Sequence, residues 1–147
     1  MVDNVSRAAI KKPFEGKYAE LSEKIIKIVY QVHTELGLGF SEKVYQKAFC
    51  MALGETGMKV DEQVPIKVYF HGQSAGEFFA DTVINDNILL ELKSAPSILE
   101  EHEAQLLHYL KASEIEVGYV MNFGKSGSFK RKIFDNERKG SMLWMRK

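Results

Sequence analysis

Two neighbouring runs, GEFFADTVI and ILLELK, place Asp81, Glu91 and Lys93 inside the most apolar, β-rich stretch of the chain, with only Asn85-Asp86-Asn87 between them. A charged group withdrawn from water is costly unless it is paired or holds a metal. A fold that makes strands of both runs must therefore provide for three charges at once. Residues two apart in a strand share a face, so Glu91 and Lys93 point the same way as Leu89, and Asp81 is expected to share a face with Phe79 and Val83. If residues 85–87 form a three-residue loop, Ile84 opposes Ile88 and Asp81 directly opposes Glu91. Asparagine tolerates the left-handed backbone that such a loop wants. A two-residue loop would shift the register and put the two acids on opposite faces.

The flanking patterns set what this hairpin can pack against. From Tyr18, Leu21, Ile25, Ile28, Val29, Val32 and Leu36 recur with helical period, and the glycines of LGLG (36–39) interrupt it. Ser41 is placed to cap a second helix that runs to about Leu53. Val64, Ile66, Val68 and Phe70 alternate as a strand, which Pro65 marks as an edge or a strand start. Residues 96–113 read as a helix with an acidic first turn and an apolar stripe at Leu99, Leu106, Leu107 and Leu110. VGYVMNF is a buried strand, FKRKIF a further edge strand, and Asn122-Phe123-Gly124 a turn. The order ααβββαβ(β) predicts an α/β (α+β) domain with a mixed sheet of about four to five strands flanked by helices. Residues 1–16 carry no pattern and read as a loose arm before a single domain over 17–147.

Like charges opposite one another destabilise a sheet, so an acid facing an acid needs a reason. One reason is structural: Lys93 bridges both acids as a buried ion pair. The other is chemical. Two clustered carboxylates form a hard-oxygen site suited to Mg²⁺ or Mn²⁺. A neighbouring lysine would then orient or deprotonate a water, or stabilise charge on a phosphate. That set matches the needs of phosphodiester hydrolysis.

An aspartate on one strand followed by E-x-K on the next resembles the PD-(D/E)XK nuclease superfamily. Gly39, Glu42 and Tyr45 in GFSEKVY resemble the signature of its GxxExxY proteins, and FFAD, LLELK, HEAQLLHYLKA and VMNFG follow in that family's order. Ala80 stands where the superfamily name has proline. The resemblance, over about residues 18–134, implies a restriction-endonuclease-like core. It implies Asp81 and Glu91 as metal ligands with the Leu92 carbonyl beside them, and Lys93 as the catalytic lysine. Gln105 and Tyr109 form a Q-x-x-x-Y similar to the helical motif of RecB-like nucleases, one helical turn apart. Either they meet the site or the nucleic acid, or Tyr109 packs in the core while Gln105 bonds to backbone. Glu42 is expected as a further metal ligand, its alternative being a helix-end acid, and Tyr45, one turn on, as a substrate contact. His102 is expected near the site and His108 in solvent.

Formal net charge is zero, so no global field draws the chain to nucleic acid. The balance is uneven, however. From residue 125 onward stand Lys125, Lys130, Arg131, Lys132, Arg138, Lys139, Arg146 and Lys147 against Asp135 and Glu137. Lys130 and Arg131 are the candidates there for gripping phosphates, and a solvated tail is the plainer reading. The single cysteine, Cys50, allows no internal disulfide, which fits a reducing cytoplasm, and its apolar setting reads as a small buried hydrophobe. No apolar run reaches membrane-spanning length. The expected function is metal-dependent hydrolysis of nucleic acid, DNA foremost, with a homodimer allowed. The alternative is a catalytically silent module of the same fold that binds nucleic acid or a protein partner.

Overall fold

The computed structural model describes residues 16–124 and 127–140, so the arm expected over 1–16 lies outside it except for Gly16. Helix α1 (Ala19–Leu36) buries Ile25, Ile26, Ile28, Val29 and Val32 along one stripe. Helix α2 (Glu42–Gly54) buries Tyr45, Phe49 and Leu53, one turn apart in succession. Ser41 precedes it in extended backbone, and its carbonyl accepts the Val44 and Tyr45 N–H groups. Its hydroxyl makes no capping bond, which corrects the expected side-chain cap.

Five strands follow: β1 (Val60–Phe70), β2 (Gln73–Ile84), β3 (Ile88–Lys93), β4 (Val117–Asn122) and β5 (Ser128–Ile133). They form one sheet in the order β1-β2-β3-β4-β5. Every neighbouring pair is antiparallel except β3 and β4, which are parallel. A parallel pair needs a crossover, and helix α3 (Glu100–Lys111) supplies it. α3 begins later than the pattern suggests. Leu99 is its cap, and His102 Nδ1 accepts the Leu99 N–H at 3.0 Å. This bond gives His102 a capping role in place of the expected approach to the site. The element order and the mixed sheet are those the sequence predicts, with β5 as the further strand.

The sheet separates two cores. α1 and α2 cover one face, meeting Ile84, Ile88, Leu90, Leu92, Val117, Tyr119 and Met121. On the other face α3 brings Leu106, Tyr109 and Leu110 against Ala80, Val83, Leu89 and Val120. β3 and β4 are thus apolar on both sides, as central strands covered twice should be. No helix among the described residues is long and apolar enough to cross a membrane.

One irregularity matters for the site. Val60 packs in the first core, whereas Val64 and Ile66 pack in the second. Likewise Ala80 lies in the second core and Ile84 in the first. Residues an even number apart should share a face. The pleat must slip between them on both strands, and Gln63, with φ 48°, is where β1 turns over. This corrects the expected shared face of Phe79 and Val83. Val83 is buried under α3, and Phe79, beyond the slip, is 49% exposed.

Candidate active site

The β2–β3 loop has the predicted register. Asn85 and Asp86 have φ of 51° and 60°, Asn87 N–H donates to Ile84 O at 3.0 Å, and Ile84 pairs with Ile88. The ladder continues through Val83–Leu89 and Thr82–Leu90 and then stops, leaving Asp81 opposite Glu91. On the other side of β2 the β1 ladder runs through Glu62–Thr82 and Val64–Ala80, skipping Gln63 and Asp81. Asp81 therefore sits where backbone pairing is interrupted on both sides.

Side chains fill the gap. Asp81 Oδ2 accepts the Leu92 N–H at 2.7 Å, and Glu91 Oε1 accepts the Asp81 N–H at 3.3 Å. In a strand the N–H and C=O of one residue point to the same edge. The Leu92 carbonyl is thus turned to the Asp81 side of β3, where it has no strand partner among the described residues. Burial, then the neighbouring Asp81 charge, pushes the Glu91 carboxyl up to about 8. Burial also raises Asp81, against the Leu92 N–H and the charge of Lys93. Lys93 acts on both acids through space and lowers each. Among the described residues it forms no ion pair with either, so the structural bridge considered above is not built. A buried carboxylate, a half-buried one and a carbonyl converge with too little positive charge, a donor set that fits a hard divalent cation.

Other predicted residues divide. Gln105 Nε2 donates to Tyr109 Oη at 2.9 Å, and Tyr109 packs at 5.7 Å from the Phe78 ring. The charges of Glu91 and Asp81 both raise the Tyr109 phenol, after burial, so this pair of α3 residues overlooks the acids. Glu42 lies at the rim, where its Oε1 accepts the Ser94 N–H at 3.4 Å. Its charge is felt by Asp81. Yet among the described residues no three of His, Cys, Asp and Glu gather as a metal cage, so Glu42 is not assembled with the pair. Tyr45 is withdrawn from any substrate. It is fully buried, stacks on Phe123 at 4.8 Å, and donates its hydroxyl to Gly37 O. With Gly39 at φ 101°, this bond folds the turn that leads into α2.

The basic segment is dispersed by strand alternation. Val120 faces α3 and pairs with Lys130, which stays exposed at the end of the row that runs from Glu91 through Val120. Arg131 turns to the opposite face, where its Nη2 donates to Lys17 O at 3.0 Å. Lys132 pairs with Glu103 at 2.9 Å, and Arg138 lies over the Phe134 ring at 5.1 Å. Lys139 is 1% exposed and donates to Ser113 O and Ile115 O. Lys125, Arg146 and Lys147 lie outside the described residues. Cys50 is only half-buried, and burial pushes its thiol up to about 11, which disfavours a nucleophilic thiolate.

The pattern gave no hint of a clamp behind Lys93. Asn122, 1% exposed, accepts the Ala95 and Gly124 N–H groups at 3.0 Å each and donates to Ala95 O at 2.9 Å. Phe123 N–H donates to Lys93 O at 2.8 Å. A Cβ on Gly124 would overlap the Ala95 carbonyl. Gly124→Ala should therefore lower stability by about 1–3 kcal/mol, as overpacking does. A denaturant midpoint equal to wild type would show that the clamp yields freely.

A model of the PD-(D/E)XK nuclease superfamily matches residues 19–133, which contain all of these acids and Lys93. The chain belongs to the PD-(D/E)XK nuclease superfamily. Its five-stranded mixed sheet flanked by helices is the restriction-endonuclease-like fold of that superfamily. Among solved structures, an alkaline exonuclease, LHK-Exo from Laribacter hongkongensis, is 16% identical, with 94% of this chain and 80% of that chain covered and a TM-score of 0.49. The crystal structure of SSO0001 is 13% identical, with 86% of this chain and 83% of that one covered and a TM-score of 0.46. No curated protein gives a significant match. Membership in the superfamily supports a nuclease, and divalent metal ions are general among its enzymes.

Proposed function

We propose that this PD-(D/E)XK protein is a metal-dependent nuclease of the GxxExxY type that hydrolyses phosphodiester bonds, with DNA as its substrate. The observation that carries the reading is the pairing of buried Glu91 with half-buried Asp81, which have no ion-pair partner among the described residues and meet at the edge of Leu92 that β2 leaves unpaired. Asp81, Glu91 and the Leu92 carbonyl would hold Mg²⁺ or Mn²⁺. The ion, when bound, supplies a Lewis acid for the phosphate oxygens and an acidified water. Lys93, on the strand that carries Glu91, places its ammonium beside that position to stabilise charge developing on phosphate. Gln105, steadied by Tyr109, adds a neutral donor on the α3 side.

The test is incubation with single- and double-stranded DNA and with RNA, in Mg²⁺, in Mn²⁺ and in chelator. Cleavage of DNA that chelator stops is expected. Binding without cleavage in either metal would favour the silent-module alternative. For substrate contacts, Lys130→Glu should reduce the slope of log affinity against log salt by about one, the share of one lost phosphate contact. Arg131→Glu should act on stability instead, since it loses the bond to Lys17. An unchanged salt slope in Lys130→Glu would remove Lys130 from the phosphate path.

A further inference from the structure

We infer that Gln63 is a positioning residue for the carboxylate pair, fixing Asp81 in the plane of the sheet, toward the edge of Leu92. The inference rests on the nuclease reading of this site. Three observations meet at this one residue. Its backbone is left-handed, φ 48°, although it is neither glycine nor a short Asn or Asp. It occupies the slot on β1 opposite Asp81, a step missing from the ladder between Glu62–Thr82 and Val64–Ala80. Its side-chain amide lies on the Asp81 side and acts to lower the Asp81 carboxyl, against the rise that burial causes.

An exposed glutamine on an edge strand is free to be extended, and extended backbone would be the relaxed state. A left-handed residue held there is strain, and strain of this kind gathers at working sites. Its geometric effect is specific. Without the turn-over at Gln63, Val60 and Val64 would face the same core, as would Ala80 and Ile84. Asp81 would then project from one face of a regular pleat. With the slip, its Oδ2 lies in the plane of the sheet, against Leu92 N–H. The chemistry of the side chain also suits the place. An amide N–H donor orients a carboxylate without neutralising it as lysine would. It adds no third negative charge as glutamate would.

Three variants separate the backbone from the amide. Gln63→Gly accepts the left-handed backbone but lacks the amide; Gln63→Asn keeps both at shorter reach; Gln63→Val prefers extended backbone. Mn²⁺ binding is measured by calorimetry on protein free of nucleic acid. kcat and KM are measured on a DNA oligonucleotide. Gln63→Gly should be at least as stable as wild type, yet bind Mn²⁺ about 10–100-fold more weakly and lose kcat rather than raise KM. Gln63→Asn should recover part of both. If Gln63→Gly binds Mn²⁺ and turns over like wild type, the residue only shapes a bulge and the inference is wrong. If wild type itself neither binds Mn²⁺ nor cleaves any nucleic acid, the nuclease reading fails first and takes this inference with it.

Discussion

Glu91→Gln should make the metal-free protein more stable than wild type at pH 8, while removing the rise in melting temperature that Mg²⁺ or Mn²⁺ gives. Burial and the Asp81 charge hold the Glu91 carboxyl at about 8 against an ordinary 4.5. Between those values the folded chain keeps a proton that the unfolded chain has released. Wild-type stability therefore falls as pH rises from about 4.5 to about 8 and is level above that. At roughly 1.4 kcal/mol per unit, the fall is on the order of 4 kcal/mol. Glutamine keeps the shape and cannot ionise, so this part of the pH dependence should vanish in the variant. The two proteins should converge near pH 4. A bound cation must displace the same proton, so its effect on wild type should grow with pH up to about 8. Thermal melts of wild type, Glu91→Gln and Asp81→Asn across pH, with and without metal, provide the measurement. Destabilisation of both variants by about 3–5 kcal/mol, with no metal effect on wild type, would instead mark a buried ion pair.

Lys93→Ala should reduce single-turnover cleavage by about 10²–10⁴-fold and leave the fold intact. The fold is spared because Lys93 is held in place through its backbone: its carbonyl accepts from Phe123, and its neighbours are fixed by the Asn122 clamp. The side-chain ammonium is left to act on the acids and on whatever lies over them. Its removal also takes away a positive charge that lowers both carboxyls, so Glu91 should titrate still higher. Cleavage of a labelled oligonucleotide and a circular dichroism melt are read on the same preparation. Undiminished cleavage in Lys93→Ala would place the chemistry elsewhere.

The acid pair was legible in the sequence because a hairpin has few registers and parity decides the face. Three loop residues able to adopt positive φ were enough to set Asp81 against Glu91. Helix order was legible from the spacing of Ile25, Ile28, Val29 and Val32. What failed was direction. Glu42 and Tyr45 share a helical stripe, but spacing does not say that Tyr45 points inward under Phe123. A count of basic residues does not separate Lys130 from Arg131, although adjacent strand residues must face opposite ways. Gln63 gave no signal, because glutamine has no local preference for left-handed backbone and only its partner across the ladder explains it. Asn122 and Gly124 had the composition of a turn. Their contacts to Ala95, 27 residues away from Asn122, exist only once β3 and β4 lie side by side.

β1 and β2 run on past the slip as a two-stranded ribbon, Val64–Phe70 against Gln73–Ala80, with no third strand beside it among the described residues. Two strands alone are marginal in water, whereas the part of β2 from Thr82 onward is paired on both edges. Amide exchange should therefore divide along β2, with the far end of the ribbon, Lys67–Phe70 and Gln73–Glu77, opening at low free energy and Thr82–Ile84 exchanging only with the core. Asp81 stands at the border. One carboxylate of the pair is thus anchored at a hinge between a fast-opening arm and a slow-opening sheet, and a polymer pulling on the ribbon would reach the chemistry through that single residue.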